Sequence, residues 1–410
     1  METTVIRHVD AMRAPTWHRL RMNHADVSVD VAGACAPAHV EAHGFSPADD
    51  SAFDDAVRAL QERLAAPEAA CDSDPAASHG LLDVAALSRY QQNRTVTEAR
   101  KDVAAAFETG SGRDAQAFVE KHAERRIVLY APEHARGAHA VVRLRAQDAS
   151  LCACALDIVL GADAEAQVLL VFEGEGDAGG LLASSVRVFG GAESTLRLSS
   201  VQAASAAWTL LDGAGCILDE GARLDTAHYA LSSGKSYTGL ACDLRGARAE
   251  AQASLRYLGR ESAELDFNYE FDHRGRDTHS DLAANGVLAG ESVKTLRGTI
   301  DFIKGCKGSS GHEQETALIA DERAHNLSCP VILCGEDDVA GDHGAAIGHI
   351  GAEQMFYLAS RGLSADAAES LFAQSVFESA LADPACDAAR EAIERRGAAV
   401  LGVRDAKELS

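Results

Sequence analysis

The chain has 410 residues, enough to bury a substantial core in two or three structural units. Its 38 basic and 62 acidic residues leave a formal charge of −24, which argues against a nucleic-acid groove or an anionic membrane surface and favours a basic protein partner. No apolar run reaches the roughly 18–20 residues of a membrane span, the opening METTVIRHVDAMRAP lacks a signal-peptide core, and ten cysteines without a C-x-x-C pair predict reduced thiols in a cytoplasmic protein.

In chain order, Trp17 reads as a packing anchor. Ser46-Pro47 signals a helix start, with Asp49 and Asp50 in its first turn and Phe53, Val57, Leu60 and Leu64 at helical spacing. Residues 66–79, with two prolines and an Asp-Ser-Asp run, read as a loop, and 88–122 as a second helical region broken at 109–112. Residues 1–125 are therefore expected to form a small, mostly helical region.

The period changes at Arg126. Residues 127–130, 141–144, 151–160, 167–172, 186–189 and 195–198 are short strand-like runs between Gly, Asp and Ala turns, and no helix-length segment interrupts the pattern as far as Ile303. Gly190, Gly213, Gly234 and Gly259, spaced by 21–25 residues, suggest stacked solenoid coils, with a β-sandwich as the alternative. Gly174 to Gly179 fits G-x-G-x-x-G, yet Glu175 and Asp177 would oppose a pyrophosphate and the next segment, LLASSVRVFG, reads as a strand, so a turn is expected. Cys152 and Cys154 alternate onto one strand face and read as core.

Functional signals concentrate in PVILCGEDDVAGDHGAAIGHIGAEQMFYLASRG, residues 330–362. A strand through Cys334 halts at Glu336, Asp337 and Asp338, whose adjacent carboxylates suit a solvated turn better than paired acid/base work. His343, between Gly341 and Gly344, is expected at a strand-to-helix corner, free to coordinate or titrate. Cys334 is the thiol closest to this signature, while His273, His312, His349 and the Lys304–Lys307 run are weaker candidates. Beyond Gly351 the chain is helical: one helix closes at Arg361-Gly362, a second is capped by Ser364, and a third starts at Asp383-Pro384 and ends at Gly397.

Glu336-Asp337-Asp338-Val339, His343-Gly344-Ala345, Ile347-Gly348 and Phe356-Tyr357-Leu358 with Ser360-Arg361-Gly362 resemble the C-terminal signature of the SufB/SufD scaffold family of the SUF iron–sulfur assembly system, on its SufD side. Asp272-His273 with Thr278 and Ser280, Gly286-Val287-Leu288, Gly298-Thr299-Ile300 and the N-terminal Pro15-Thr16-Trp17 with Arg19-Leu20 follow the family's order; the likeness is dense over 265–380 and faint over 25–140.

The resemblance implies a mainly β fold, a right-handed parallel β-helix over 126–350 between helical regions at 1–125 and 351–410. It implies a non-catalytic scaffold subunit that pairs with a SufB-like paralogue or with itself as a homodimer, and binds a SufC-like ABC-type ATPase through its C-terminal helices. A transient Fe–S cluster would form at the subunit interface, where His343 matches the family's interface histidine and Cys334, Glu336, Asp337 and Asp338 stand beside it; His343 and Cys334 are the candidate metal ligands. SufD-type chains carry a Cys two residues before the signature His, where this sequence has Gly341. A flavin is possible in the family but nothing in the sequence indicates one. A β-helix enzyme acting on polysaccharides is the alternative of a different class.

Overall fold

The computed structural model describes residues 3–12, 22–30, 35–65, 108–147, 150–231, 234–349 and 351–401. Trp17 and its motif, the 66–79 loop and most of the 88–122 helical region lie outside them. The described N-terminal residues hold more strand than expected: β1 (Thr3–Val9) and β2 (Ala25–Asp30) form an antiparallel hairpin, followed by β3 (Cys35–Ala36) and β4 (His39–His43). Helix α1 (Ala52–Ala65) begins five residues beyond Pro47, after Asp49 accepts from the Ser51 N–H at 3.0 Å, and α2 spans Arg113–His122.

Sixteen strands follow: β5 (Arg126–Ala131), β6 (Ala138–Ala146), β7 (Ser150–Leu160), β8 (Glu165–Gly174), β9 (Gly180–Gly190), β10 (Thr195–Gln202), β11 (Trp208–Leu218), β12 (Arg223–Ala230), β13 (Lys235–Leu244), β14 (Glu250–Gly259), β15 (Glu264–His273), β16 (His279–Leu288), β17 (Val293–Phe302), β18 (Ser309–Ile319), β19 (His325–Cys334) and β20 (Val339–His349). From β6 on they alternate between two sheets, odd strands in one and even strands in the other, and each strand pairs in parallel with the strand two further along. The result is the expected parallel β-solenoid, of about eight turns.

Successive coils stack Ser150 on Gly180, Gly180 on Trp208, Thr209 on Lys235, Lys235 on Glu264, Glu264 on Val293 and Val293 on His325. The coil is thus 26–32 residues long, not 21–25. Its corner is set by residues in the left-handed region, His134, Asp163, Glu193, Gly221, Arg248, Asp277 and Gly308. Each donates its N–H to a carbonyl of the next coil, as Asp163 does to Ala192 at 2.8 Å and Gly308 to Asp338 at 2.8 Å. Gly213, read from sequence as a turn, lies inside β11.

Alternation along each strand puts one set of side chains into the coil and the other outside. The interior is a continuous column that includes Leu182, Leu210, Leu240, Phe267 and Leu296, with Cys152 and Cys154 in it as the core reading expects. Each such Leu or Phe contributes about 1.5–3 kcal/mol by leaving water. A polar layer interrupts the column: Asp212 accepts from Ser184 Oγ at 2.9 Å, and Gln202 Nε2 donates to Thr238 Oγ1 at 2.9 Å. These bonds offset the burial of the polar atoms.

The outer faces are covered from both ends of the chain. Ile6, Val9, Val27, Phe118 and Val119 of the hairpin and α2 pack on Leu181, Leu211 and Tyr237 of the odd sheet. On the even sheet, α4 (Ala365–Ala382), a 3-10 turn (Pro384–Ala389) and α5 (Arg390–Leu401) bury Phe377, Cys386 and Ile393 against Leu169, Val201, Leu258 and Val287. Ser364 caps α4 by accepting from Ala367 N at 3.2 Å, and α5 runs past Gly397 to Leu401. Helix α3 (Ala352–Ser360) ends before Gly362, at φ +88°. Among the described residues no helix is long and apolar enough to cross a membrane.

The loop before α2 is pressed into the odd sheet: Gly110 N–H donates to Ala214 O at 2.9 Å and Asn268 Nδ2 donates to Gly110 O at 2.9 Å. A Cβ on Gly110 would stand 2.0 Å from the Leu240 backbone nitrogen. Gly110→Ala is therefore expected to cost about 1–3 kcal/mol, read as a lower chemical-denaturation midpoint; an unchanged midpoint would mean the loop is not seated there.

Candidate functional site

The site is the last coil. Among the described residues β19 pairs only with β17 and β20 only with β18, so each sheet ends there in a strand with one unpaired row of backbone groups. β20 is largely exposed and β19 half-buried, and Leu327 and Ile347 stand out as exposed apolar side chains. At the opposite end the first coil is closed by β4, antiparallel to β6, and by β5 beside β7.

Register fixes which side chains face the open interior. On β18 the buried positions are Ser309, Gly311, Glu313, Glu315, Ala317 and Ile319, and β20 stacks Val339, Gly341, His343, Ala345, Ile347 and His349 on them. His343 thus lies in mid-strand above Glu313, which corrects the expected strand-to-helix corner. Of its flanking glycines Gly341 has a packing cause, since a Cβ there would meet the Phe302 ring at 2.7 Å, whereas one on Gly344 would displace only the end of the Gln314 side chain. On the facing sheet Cys334 stacks on Phe302, and Phe302 on His273. Cys334 and His343 therefore share the uncovered inner face of one coil, reached from two sheets.

The acid triplet is the corner between these strands. Burial works against the charge of Glu336, but the N–H groups of Gly305 (2.9 Å) and Asp337 (3.0 Å) and the nearby Lys307 and Lys304 hold its carboxyl below the usual range. Asp337 is exposed, and Asp338 supplies its carbonyl to Gly308 at the end of the corner ladder. The three carboxylates do not converge. Cys334 is exposed and donates through Sγ to Glu336 O at 3.2 Å.

Sequence reading missed the floor of the coil. Lys294 is fully buried; its Nζ donates to Glu315 and, at 3.2 Å, to Ser328 Oγ. Burial, then the charge of Glu315, pushes Glu313 up to about 7. The signal was present as charges at alternate positions of a strand, but that pattern ordinarily marks a solvated face. The weaker candidates are accounted for structurally. His273 bonds Thr278 and Ser280 at 2.8 Å and burial lowers it to about 4; Cys306 is buried and pushed up to about 12 by burial and then by Glu336. His312 bonds Asp342 on the outer face of the even sheet, and His349 lines an apolar cleft with Tyr357, Leu358 and Phe372. Among the described residues no group of three or more His, Cys, Asp or Glu is placed to hold a metal ion.

Residues 142–376, more than half of the chain, match the family model described as SUF system FeS cluster assembly, SufBD core domain. The chain belongs to the SufBD family. Curated relatives agree at low identity. The iron–sulfur cluster assembly protein SufD of Bacillus subtilis is 22% identical over 163 residues, 40% of this chain and 37% of the relative. A SufBD family protein of Pyrococcus horikoshii is 32% identical over 126 residues, 31% of this chain and 28% of the relative. One from Mycobacterium leprae is 29% identical over 125 residues, 30% of this chain but 14% of the relative. The matched segments span well under half of each relative. Membership in the SufBD family replaces the polysaccharide-active enzyme as the account of the β-solenoid.

Thiol accessibility differs sharply along this SufBD chain. Burial pushes Cys152, Cys154 and Cys386 up to about 12, whereas Cys334 is exposed. Alkylation of the native protein without reductant should modify Cys334 at least about tenfold faster than these buried thiols, as read by peptide mass spectrometry. Equal labelling of Cys154 and Cys334 would refute the burial described.

Proposed function

We propose that this chain is a non-catalytic scaffold subunit that completes its last coil with a second scaffold chain, a SufB-like paralogue or a second copy, and holds a nascent Fe–S cluster as cargo between them. The observation that carries this reading is the open coil. Two long edge strands with exposed apolar side chains are a template for strand addition and an aggregation hazard unless covered. Cys334 and His343 on its inner face offer a soft thiolate and an imidazole to iron. A partner laid across the edges would bring the further ligands. The cytoplasm, where thiols stay reduced, suits this chemistry.

The C-terminal helices support the second half of the reading, docking of a SufC-like ABC-type ATPase. While α4 and α5 are fastened to the even sheet, Phe356 and Tyr357 on α3 and Leu371 on α4 remain exposed, beside a cleft of about 570 Å³ lined by Leu318, Tyr357, Leu358 and Phe372. Large apolar side chains left exposed beside an apolar cleft favour an interaction surface here. Residues 126–350 then act as the core of the scaffold and 351–410 as its motor-facing region.

His343→Ala should leave partner association within about twofold of wild type, because an edge imidazole buries little area, while recovery of a Fe–S enzyme in cells lacking the wild-type chain falls by at least about tenfold. Ile347→Asp should instead abolish the complex on size-exclusion chromatography. Full complementation by His343→Ala would remove the imidazole from cluster assembly, and an intact complex with Ile347→Asp would move the interface elsewhere.

Deleting residues 364–410 would uncover Leu169, Val201 and Val287, so point changes are the cleaner probe of docking. Phe356→Asp combined with Leu371→Asp should abolish co-purification of a P-loop ATPase and leave the unfolding midpoint near wild type. Retention of the ATPase would exclude this patch.

A further inference from the structure

The junction between the N-terminal hairpin and the outer face of the odd sheet contains a buried carboxyl that cluster assembly does not use. Asp10 follows β1 with φ 52° and is fully buried. Its N–H donates to Ser111 O at 3.3 Å, yet neither of its carboxyl oxygens makes a well-formed hydrogen bond. An uncompensated carboxylate in such a place is strongly disfavoured.

The groups around it compensate it only in part: the Ser111 hydroxyl beside it and the Arg297 guanidinium favour its charge. From β17, Arg297 reaches the cluster, but its guanidinium is bidentate on Asp266 of β15, with Nη2 to Oδ2 at 3.1 Å, and its Nε donates to Met22 O. Tyr237 of β13 donates its hydroxyl to Glu264 at 2.8 Å, and the Tyr269 hydroxyl is bonded to His228 at 2.7 Å. On the hairpin and α2, His8 faces Asp114 at 3.4 Å and His24 lies 4.0 Å from Asp26, all of them exposed. Two buried carboxyls therefore share one cation. Burial first, and then the Asp266 charge, push the Asp10 carboxyl well above its usual range, with Arg297 opposing.

We propose that Asp10 docks as a neutral carboxylic acid beside the Asp266 carboxylate, making the N-terminal hairpin a proton-dependent latch on the β-solenoid. The only reactant is a proton taken from water. When the hairpin lifts, Asp10 returns to solvent and to an ordinary acidity. The docked form binds the proton more tightly, so docking is strongest below the ordinary carboxyl range. It weakens as pH rises from there toward the docked value, by at most tenfold per pH unit for one proton, and levels off above it. Like carboxyls crowded at one site behave in this way.

The test uses the full chain and trypsin cleavage after Arg7, which lies on β1. At each pH between about 5 and 8, the wild-type rate is divided by that of Asp10→Asn, which cancels the protease profile and the titration of His8 and His24. The ratio should rise with pH, by up to tenfold per unit. Asp266→Asn should flatten the wild-type rise, because Arg297 is then free to hold Asp10 ionised, and should remove one protonated-carboxyl band from the infrared spectrum. A ratio independent of pH overturns the proposal, as does docking that tightens with added Mg²⁺ or Ca²⁺ at constant pH, which would make the buried partner a metal cation. If Asp10→Asn does not fold, an infrared spectrum unchanged between wild type and Asp266→Asn overturns it equally.

Discussion

Backbone hydrogen bonding between successive coils is the constraint on which this molecule depends. A coil is a strip of about thirty residues that cannot satisfy its own N–H and C=O groups, so each must lie between two others or be closed by something else. At the N-terminal end β4 and β5 provide that closure within the chain. At the C-terminal end nothing among the described residues does, and the properties of the candidate site follow: His343 and Cys334 are exposed although they occupy interior positions, and the buried Lys294–Glu315 pair lies one coil below them.

Much of the fold was legible because short alternating apolar runs without helix-length interruptions leave few architectures. The repeat was not. Its corners are left-handed, yet His134, Asp163, Glu193, Arg248 and Asp277 occupy five of the seven. A non-glycine residue there costs roughly 1–2 kcal/mol, offset by the hydrogen bond to the next coil, so glycine spacing pointed to the wrong period. The β1–β2 hairpin was not legible because its core residues, Ile6 and Val9, do not alternate: the register shifts between them, which erases the period of two.

The site was half legible. Sequence placed Cys334, the acid triplet and His343 in one neighbourhood, and they are in one coil. Glycines around His343 suggested a corner, whereas both lie within a strand, Gly341 where a Cβ would run into the Phe302 ring. The polar floor under His343 escaped because a buried lysine and two buried glutamates contradict the usual reading of charge on a strand. The C-terminal helices illustrate a related economy: Arg143, Arg260 and Arg396 donate to Ala388 O (2.6 Å), Val400 O (2.6 Å) and Leu231 O (3.1 Å), so cations also satisfy carbonyls at the seam.

The ladder of left-handed corners has a bearing on how such a chain can change its length. A residue added or lost within a strand would turn every inward side chain beyond it outward and also break the corner bond to both neighbouring coils. A complete coil added or lost would leave alternation, corner and stacking intact. Elongation or shortening of the core is thereby quantised in steps of 26–32 residues, while single insertions are confined to those connections between strands that carry no bond to a neighbouring coil.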